Sequence, residues 1–143
     1  MVDDLLINKA ASIERCVMRA REEYAKNPDT FAMDHTRQDA AILNIQRACE
    51  AALDMGQYLV RRERLGVPQG ARDVFGLLAR GVWVGTELAK RLQAMVGFRN
   101  IAVHDYQALL LPIVEAIITR HLEDVLDYAR FILQRDGRGP CAG

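Results

Sequence analysis

Apolar and small residues recur every three or four positions along most of this chain, which is the spacing of one face of an α-helix. The clearest run consists of Ile42, Ile45, Cys49, Ala52, Gly56 and Leu59. The small residues in its middle permit another helix to approach closely. No segment competes with the alternation of apolar and polar residues that is typical of a β-strand. The periodicity therefore predicts an all-α fold.

Prolines and glycines divide the periodic sequence into four long helices and one short helix. The long helices are expected at about residues 3–26 and 34–65, from 86 towards 104, and from 111 through 132, with the short helix at about 72–79. Thr86 is a candidate N-cap, and Pro112 suits the first turn of the last helix. Brief connections predict an up-and-down bundle formed by residues 1–135, followed by a flexible, Gly-rich tail at 136–143.

Composition indicates a single globular domain. The chain has 143 residues, of which 50% are apolar, and this is enough for one domain with a real core. Its most apolar stretch, residues 108–118, is interrupted by Pro112 and Glu115 and falls short of the ~18 apolar residues that a membrane span requires. The N-terminus lacks the positive region of a signal peptide. We therefore expect a cytoplasmic protein with no membrane contact.

The three cysteines, Cys16, Cys49 and Cys141, are odd in number and far apart. This spacing argues for reduced thiols and against a disulfide framework or a zinc site. We therefore expect neither a bound metal nor a cofactor.

Charge is balanced, because 19 basic and 19 acidic side chains give a formal net charge of zero. A broad basic face that grips nucleic acid is thus excluded, and any RNA contact must be local. The obvious basic clusters are Arg61, Arg62 and Arg64, and Lys90 with Arg91. Most of these residues are interpreted as solvated helix surface.

One segment, residues 99–106, brings a cation, an imidazole and a phenol together, since it reads Arg-Asn-Ile-Ala-Val-His-Asp-Tyr. The upstream residues Leu88, Leu92 and Met95 have core spacing, and the same steps continue onto Arg99. A permanent cation therefore lies where a core residue is due. Arginine is rarely buried without a partner, so Arg99 must meet a carboxylate, a second chain or an anionic ligand, unless a groove opens there.

Helical geometry limits how these side chains can converge. Arg99 and Tyr106 project within roughly 20° of each other, whereas His104 lies about 140° from Arg99. Asn100 precedes His104 by four residues, so its amide could orient the imidazole. Asp105 is interpreted as a solvated or structural partner of an arginine. Bringing Arg99 and His104 onto one substrate requires a helix end or kink, the long reach of arginine, or a symmetric dimer.

The octet resembles the Arg-x-x-x-x-His motif of HEPN-domain ribonucleases, and more closely the Arg-x-x-x-x-His-x-Tyr form of HepT-type toxins in HepT–MntA toxin–antitoxin pairs. Arg99, Asn100, His104 and Tyr106 match all the motif positions. Residues 43–54, which read Leu-Asn-Ile-Gln-Arg-Ala-Cys-Glu-Ala-Ala-Leu-Asp, also look like that family. The resemblance covers the chain from the N-terminus to the last helix but leaves the Gly-rich tail unplaced.

The resemblance implies the toxin of a type VII-like pair: a metal-independent endoribonuclease that works as a symmetric homodimer with a HEPN-like bundle. His104 can titrate near neutral pH, so it can take the proton from a ribose 2′-hydroxyl that attacks the adjacent phosphorus. Arg99 would oppose the charge on the phosphoryl oxygens. The product would carry a 2′,3′-cyclic phosphate, and Asn100 would orient rather than carry protons.

Tyr106 has a different implied role. In the family it resembles, an MntA-like nucleotidyltransferase adds AMP units to this tyrosine. A phenol ionises near pH 10, which makes it a poor proton shuttle at neutral pH but an acceptable acceptor for group transfer. An added nucleotide would bring bulk and negative charge close to Arg99 and silence the nuclease.

Other polar residues have two readings. Glu50, Asp54 and Asn44 on the second helix either surround and orient the motif or form an interhelical hydrogen-bond network. His35 is expected to be exposed just before that helix. His121 is expected to be a half-buried packing residue on the last helix.

Two other functions remain open from sequence. The chain could be a non-catalytic helical companion, or a substrate-binding subunit, of a minimal nucleotidyltransferase, with the octet as its contact site. It could also be a structural dimer in which Arg99 pairs with Glu50 or Asp54. A His104→Ala variant separates these readings, because it should abolish cleavage by a nuclease yet leave the partner binding of a scaffold nearly intact.

Overall fold

The computed structural model describes residues 1–105 and 109–138, and this part of the chain contains helices and no strand. The elements are α1 (Asp4–Ala25), a 3₁₀ turn (Phe31–Met33), α2 (His35–Arg62), α3 (Ala71–Arg80), α4 (Thr86–His104), α5 (Leu111–Ala116), a π-helical stretch (Ile117–His121) and α6 (Leu122–Arg138). The last three are continuous and form one long helix. The predicted all-α fold of four long helices and one short helix is confirmed. None of the described helices is long and apolar enough to cross a membrane.

Helix boundaries agree with the predictions to within a few residues, with two corrections. Gly85, not Thr86, is the N-cap of α4, and Thr86 is the first helical residue. The last helix continues to Arg138, so residues 136–138, the first three of the predicted tail, are helical. Asp136 explains the extension, because this buried carboxylate is bonded to the N-terminal segment and to α2. Cys141 and the rest of the predicted tail lie outside the described residues.

The connection between α1 and α2 is fixed by Arg37. Its guanidinium donates hydrogen bonds to the carbonyl oxygens of Glu23 and Tyr24, which the end of α1 leaves without helical partners, and to that of Asn27 in the connection. The same guanidinium lies 5.6 Å from the centroid of the buried Phe31 ring. One side chain at the start of α2 thus holds the end of α1 and pins the two helices as neighbours.

The core is built around α2, whose predicted stripe is buried along its whole length. Gly56 lies at the tightest point, because a Cβ there would be 2.7 Å from Val74 Cγ1 and 3.0 Å from the Tyr128 hydroxyl. The buried Tyr128 donates a hydrogen bond of 2.9 Å to the Ala52 carbonyl oxygen. α3 and α6 therefore approach α2 closely only because the stripe is small there.

A polar cluster closes one end of the bundle, and we call Asp3, Tyr58, Arg62 and Asp136 the terminal clamp. Arg62 Nη2 lies 2.7 Å from Asp136 Oδ1, and its Nη1 lies 3.3 Å from Asp3 Oδ2. The Tyr58 hydroxyl donates to the same Asp3 carboxylate, and this bond lowers the pKa of Asp3. Burial opposes ionisation of Asp136, but hydrogen bonds from Arg62 and the Asp3 backbone N–H keep its pKa below the ordinary value. The clamp ties the N-terminus, α2 and α6 together.

Candidate active site

Helix α4 carries the motif on the face that it turns towards the core. Leu88, Leu92, Met95 and Ala102 are buried on this face. Arg99 falls on the same stripe, and only 18% of its side chain is exposed. The prediction that a permanent cation occupies a core position is confirmed.

Arg99 forms an ion pair with a carboxylate, as expected for a cation at a core position. Its Nε lies 3.3 Å from Glu50 Oε1, so the pair joins α4 to α2. The direction of approach is not that of a hydrogen bond, and Arg99 Nε is the only buried side-chain nitrogen or oxygen without a hydrogen bond in the part of the chain that the structure describes. Buried polar groups in native proteins are almost always satisfied, and exceptions call for an explanation such as a catalytic role. Arg99 therefore keeps a buried N–H without a hydrogen-bond acceptor among the described residues.

Cys49 lies beneath this ion pair. Its thiol is buried, and the Sγ lies 4.0 Å from the Met95 carbonyl oxygen, to which it donates. Burial raises the pKa of Cys49 to about 12; the Glu50 carboxylate adds to this effect and the Arg99 cation opposes it. A thiol with such a pKa stays protonated, so Cys49 packs under the site and supplies no nucleophile.

His104 lies at the other edge of the motif. It is the last residue of α4 and is exposed, and the exposed Asp105 ends the helix by donating its backbone N–H to the Ile101 carbonyl oxygen. No hydrogen bond or ion pair joins His104 to Arg99 or to the half-buried Asn100 within the described residues. One chain therefore directs Arg99 against α2 and His104 into solvent, as the helical angles predict.

The structure separates the remaining acidic and amide candidates on α2 from the motif. Asp54 Oδ2 pairs with Lys9 Nζ of α1 at 3.0 Å, so it belongs to the α1–α2 contact and not to the surroundings of Arg99. Asn44 donates to the Ala40 carbonyl oxygen of its own helix at 2.8 Å rather than to an interhelical network. Of the three polar residues singled out on α2, only Glu50 reaches the motif.

The other two histidines lie outside the motif. His35 is the exposed first residue of α2, as expected. His121 is more exposed than predicted: 47% of its side chain is accessible, and its Nδ1 lies 3.7 Å from Asp124 Oδ2 on α6. Within residues 1–105 and 109–138, no group of three or more histidine, cysteine, aspartate or glutamate side chains could hold a metal ion.

An apolar groove of about 400 Å³ runs between α4 and α5, beside the motif. Its walls include Phe98, Ile101, Leu110 and Ile113, and the last three side chains are exposed. Neither Arg99 nor His104 lines the groove. Sequence reasoning did not find this groove, because its walls come from two helices whose relative placement no spacing rule gives.

Tyr106, the predicted modification site, lies outside the described residues.

Comparisons with known proteins give relatives that cover most of the chain. The model of the family described as "Ribonuclease HepT-like" matches residues 13–132. The chain is 46% identical over 123 residues to the mRNA nuclease HepT of Shewanella oneidensis, which covers 86% of this chain and 92% of that protein. Two solved structures share its fold. One is a toxin–antitoxin complex with AMP-PNP (TM-score 0.87, 44% identity, 91% of this chain and 98% of that chain). The other is a tri-AMPylated HEPN toxin of S. oneidensis in complex with MNT antitoxin (TM-score 0.86, 45% identity, 91% and 97%).

Proposed function

The chain belongs to the HepT-like ribonuclease family, and on this basis we propose that it is the toxin of a type VII-like toxin–antitoxin pair. It would cut RNA as an endoribonuclease until its cognate nucleotidyltransferase modifies Tyr106. The observation that carries the proposal is Arg99, a cation on the core face of α4 whose buried Nε–H has no acceptor. It stands five positions before the exposed His104.

The proposed reaction needs one base and one cation. The His104 imidazole accepts the proton of a ribose 2′-hydroxyl, and the 2′-oxygen forms a bond to the adjacent phosphorus while the bond from phosphorus to the 5′-oxygen breaks. An imidazolium, or water, returns a proton to the 5′-oxygen. The products are a 2′,3′-cyclic phosphate and a 5′-hydroxyl end. Because the chain itself supplies both groups, the scheme does not depend on a metal.

Arg99 is proposed to stabilise the charge that develops on the phosphoryl oxygens. Its planar guanidinium pairs bidentately with phosphate, and preorganised donors of this kind are commonly the largest catalytic contribution. Glu50 would act through Arg99, since its carboxylate lies 3.3 Å from Nε and holds the guanidinium at the edge of the core. Asn100 is proposed to orient the imidazole of His104 once RNA is bound.

A homodimer is proposed because one chain does not bring Arg99 and His104 together. Two copies of the motif that face each other across a twofold axis would present both side chains to one phosphate. The exposed apolar residues Ile101, Leu110 and Ile113 next to the motif support this arrangement, since contiguous apolar surface marks interaction sites.

Silencing by AMPylation of Tyr106 is proposed from the family and from the relative whose solved structure is a tri-AMPylated HEPN toxin with MNT antitoxin. The phosphate of an added nucleotide near Arg99 would occupy the anion site and repel RNA. We propose that this action takes place in the cytoplasm, because RNA and ATP are both present there.

The test is growth arrest by the chain expressed without its partner, beside Arg99→Ala and His104→Ala at equal expression. The proposal expects arrest by the wild type only, and relief of that arrest when the cognate nucleotidyltransferase is co-expressed. Equal arrest by all three proteins would remove both residues from the reaction. Absence of arrest and of cleavage, with retained partner binding, would favour the non-catalytic companion of a nucleotidyltransferase.

A further inference from the structure

Three arginines lie on the chain segments that meet at Gly81, at the end of the bundle where α2 and α3 finish, and we call Arg64, Arg80 and Arg135 the Gly81 cluster. Arg80 directly precedes Gly81, and Arg135 Nη1 donates to the Gly81 carbonyl oxygen at 2.9 Å. Arg64 precedes Leu65, whose side chain packs against Gly81: a Cβ on Gly81 would lie 2.9 Å from Leu65 Cδ2. Three arginines from three parts of the chain thus lie on segments that meet at this turn.

The cluster is poorly neutralised. Neither Arg64 nor Arg135 has an ion pair with any described residue, and Arg80, with 74% of its side chain exposed, reaches Asp73 only at 3.7 Å. The neighbouring acids Glu63 and Asp136 are both engaged by Arg62. Like charges repel, so three exposed cations around one turn favour an anionic ligand.

The Arg135 side chain is fixed in position by two contacts before any ligand binds. Its guanidinium lies 4.3 Å from the centroid of the buried Trp83 ring, and the hydrogen bond to Gly81 fixes its direction. A guanidinium that stacks on an aromatic ring keeps the donors at its edges free, and that edge matches phosphate. Fixing the side chain in advance reduces the entropy that binding costs.

We propose that the Gly81 cluster binds backbone phosphates of the RNA substrate at a distance from the cleaved bond; this inference rests on the proposed ribonuclease function. α4 separates the two places, because it begins five residues after Gly81 and ends at His104. Its 19 residues are about 28 Å long at ~1.5 Å per residue. A strand with one charge per ~3.4 Å would span that length with about eight nucleotides.

RNA explains the cluster better than an acidic protein surface does. The chain has no net charge, so a nuclease of this composition needs local cationic contacts to hold a polyanion. The motif itself offers one permanent cation, Arg99, which already pairs with Glu50. Three further guanidinium groups at the far end of α4 supply the missing contacts along a single extended substrate.

The test measures binding of a fluorescent, single-stranded 30-nucleotide RNA to unmodified His104→Ala protein, as a function of salt. Arg64→Asn with Arg80→Gln removes two cluster charges; asparagine tolerates the left-handed backbone of Arg64, whose φ is 53°. Arg15→Gln with Arg130→Gln removes two charges from exposed positions on α1 and α6. Circular dichroism checks that both proteins keep their helices.

The proposal expects the slope of log K against log salt to fall by about 1.4 in the cluster variant, or ~0.7 per phosphate contact. At 0.1 M salt this corresponds to binding about 25-fold weaker, whereas the control variant binds like the parent. Arg135→Lys keeps the charge but loses the planar fork, and it should also bind more weakly.

Equal slopes for the cluster and control variants would overturn the proposal while leaving the nuclease function intact. Unchanged RNA binding with lost binding to the cognate nucleotidyltransferase would assign the cluster to a protein partner and overturn it as well. No RNA binding by any of these proteins would overturn both this inference and the proposed function.

Discussion

The Arg99 guanidinium reaches from α4 to within 3.3 Å of the Glu50 carboxylate on α2, yet the two groups form no hydrogen bond. The two side chains differ in exposure: 18% of the Arg99 side chain is exposed, whereas 44% of the Glu50 side chain is exposed. Glu50 therefore neutralises and positions the arginine without saturating its donors. We propose that an incoming phosphate engages the remaining donors of the guanidinium while the carboxylate keeps it in place.

Glu50→Gln should lower kcat for RNA cleavage by about tenfold to 100-fold, because a guanidinium that is no longer held by a charge is misplaced relative to the phosphate. KM should change less, since RNA binding draws on the whole surface. Steady-state kinetics on one defined RNA separates the two parameters. Asp54→Asn is the matched control on the same helix, because Asp54 pairs with Lys9, and it should stay within about twofold of the wild type. Equal losses in the two variants would contradict a specific role for Glu50.

Tyr106 should be the acceptor of nucleotides from the cognate nucleotidyltransferase. Incubation with that enzyme and ATP should add the mass of one or more AMP units to a peptide containing Tyr106 and abolish RNA cleavage, because the new phosphate competes for Arg99. Tyr106→Phe should gain no mass, and Tyr24→Phe, which removes a hydroxyl from α1, should be modified like the wild type. Intact mass spectrometry checks this. Modification of the Tyr106→Phe protein would refute the assignment.

The terminal clamp should make the free energy of unfolding depend on pH in the acidic range. The pKa values of Asp3 and Asp136 lie below their ordinary value of 3.8, so the stabilisation is complete above about pH 4 and is lost as the pH falls through the folded-state values. Arg62→Ala should lower the free energy of unfolding by about 2 kcal/mol at pH 7. The free energy of unfolding should also fall less between pH 7 and pH 3 in this variant than in the wild type. Urea unfolding at both pH values measures this. The exposed neighbour Arg61→Ala should change stability by less than about 0.5 kcal/mol; an equal effect would contradict the account of the clamp.

Two helical glycines should respond to alanine with opposite signs. Gly56→Ala puts a Cβ 2.7 Å from Val74 Cγ1 and 3.0 Å from the Tyr128 hydroxyl, and should destabilise the fold by about 1–3 kcal/mol. At Gly76 the nearest atom lies at 3.5 Å, so alanine should stabilise α3 by up to about 1 kcal/mol. Thermal unfolding ranks the three proteins. A stable Gly56→Ala protein would mean that the contact of α2 with α3 and α6 is looser than described.

Much of the fold follows from spacing alone. The periodicity of small and apolar residues predicts α2 and its buried face, and prolines and glycines predict where the helices separate. The bundle was predicted to end at residue 135, three residues before α6 ends, because the buried Asp136 is held by Arg62 and the Asp3 backbone, which are far away in sequence. The Gly-rich composition after residue 135 predicts a tail. Composition alone contains no information about a contact between the two ends of the chain.

The candidate site was predictable in part. Helical steps from Leu88 predict that Arg99 falls on the core face, and the search for a carboxylate leads to α2. Spacing could not choose between Glu50 and Asp54, which lie one turn apart, because the choice depends on where Lys9 of α1 packs. The exposure of His121 was also missed, since the π-helical stretch changes the helical phase on which the prediction relied.

The most direct test of the central claim is cleavage of total cellular RNA by the unmodified chain in excess EDTA, beside His104→Ala. The account predicts discrete cuts by the wild type, with 2′,3′-cyclic phosphate at the new ends, and no cuts by the variant. EDTA-sensitive cutting, or equal cutting by His104→Ala, would contradict a reaction that depends on Arg99 and His104 alone.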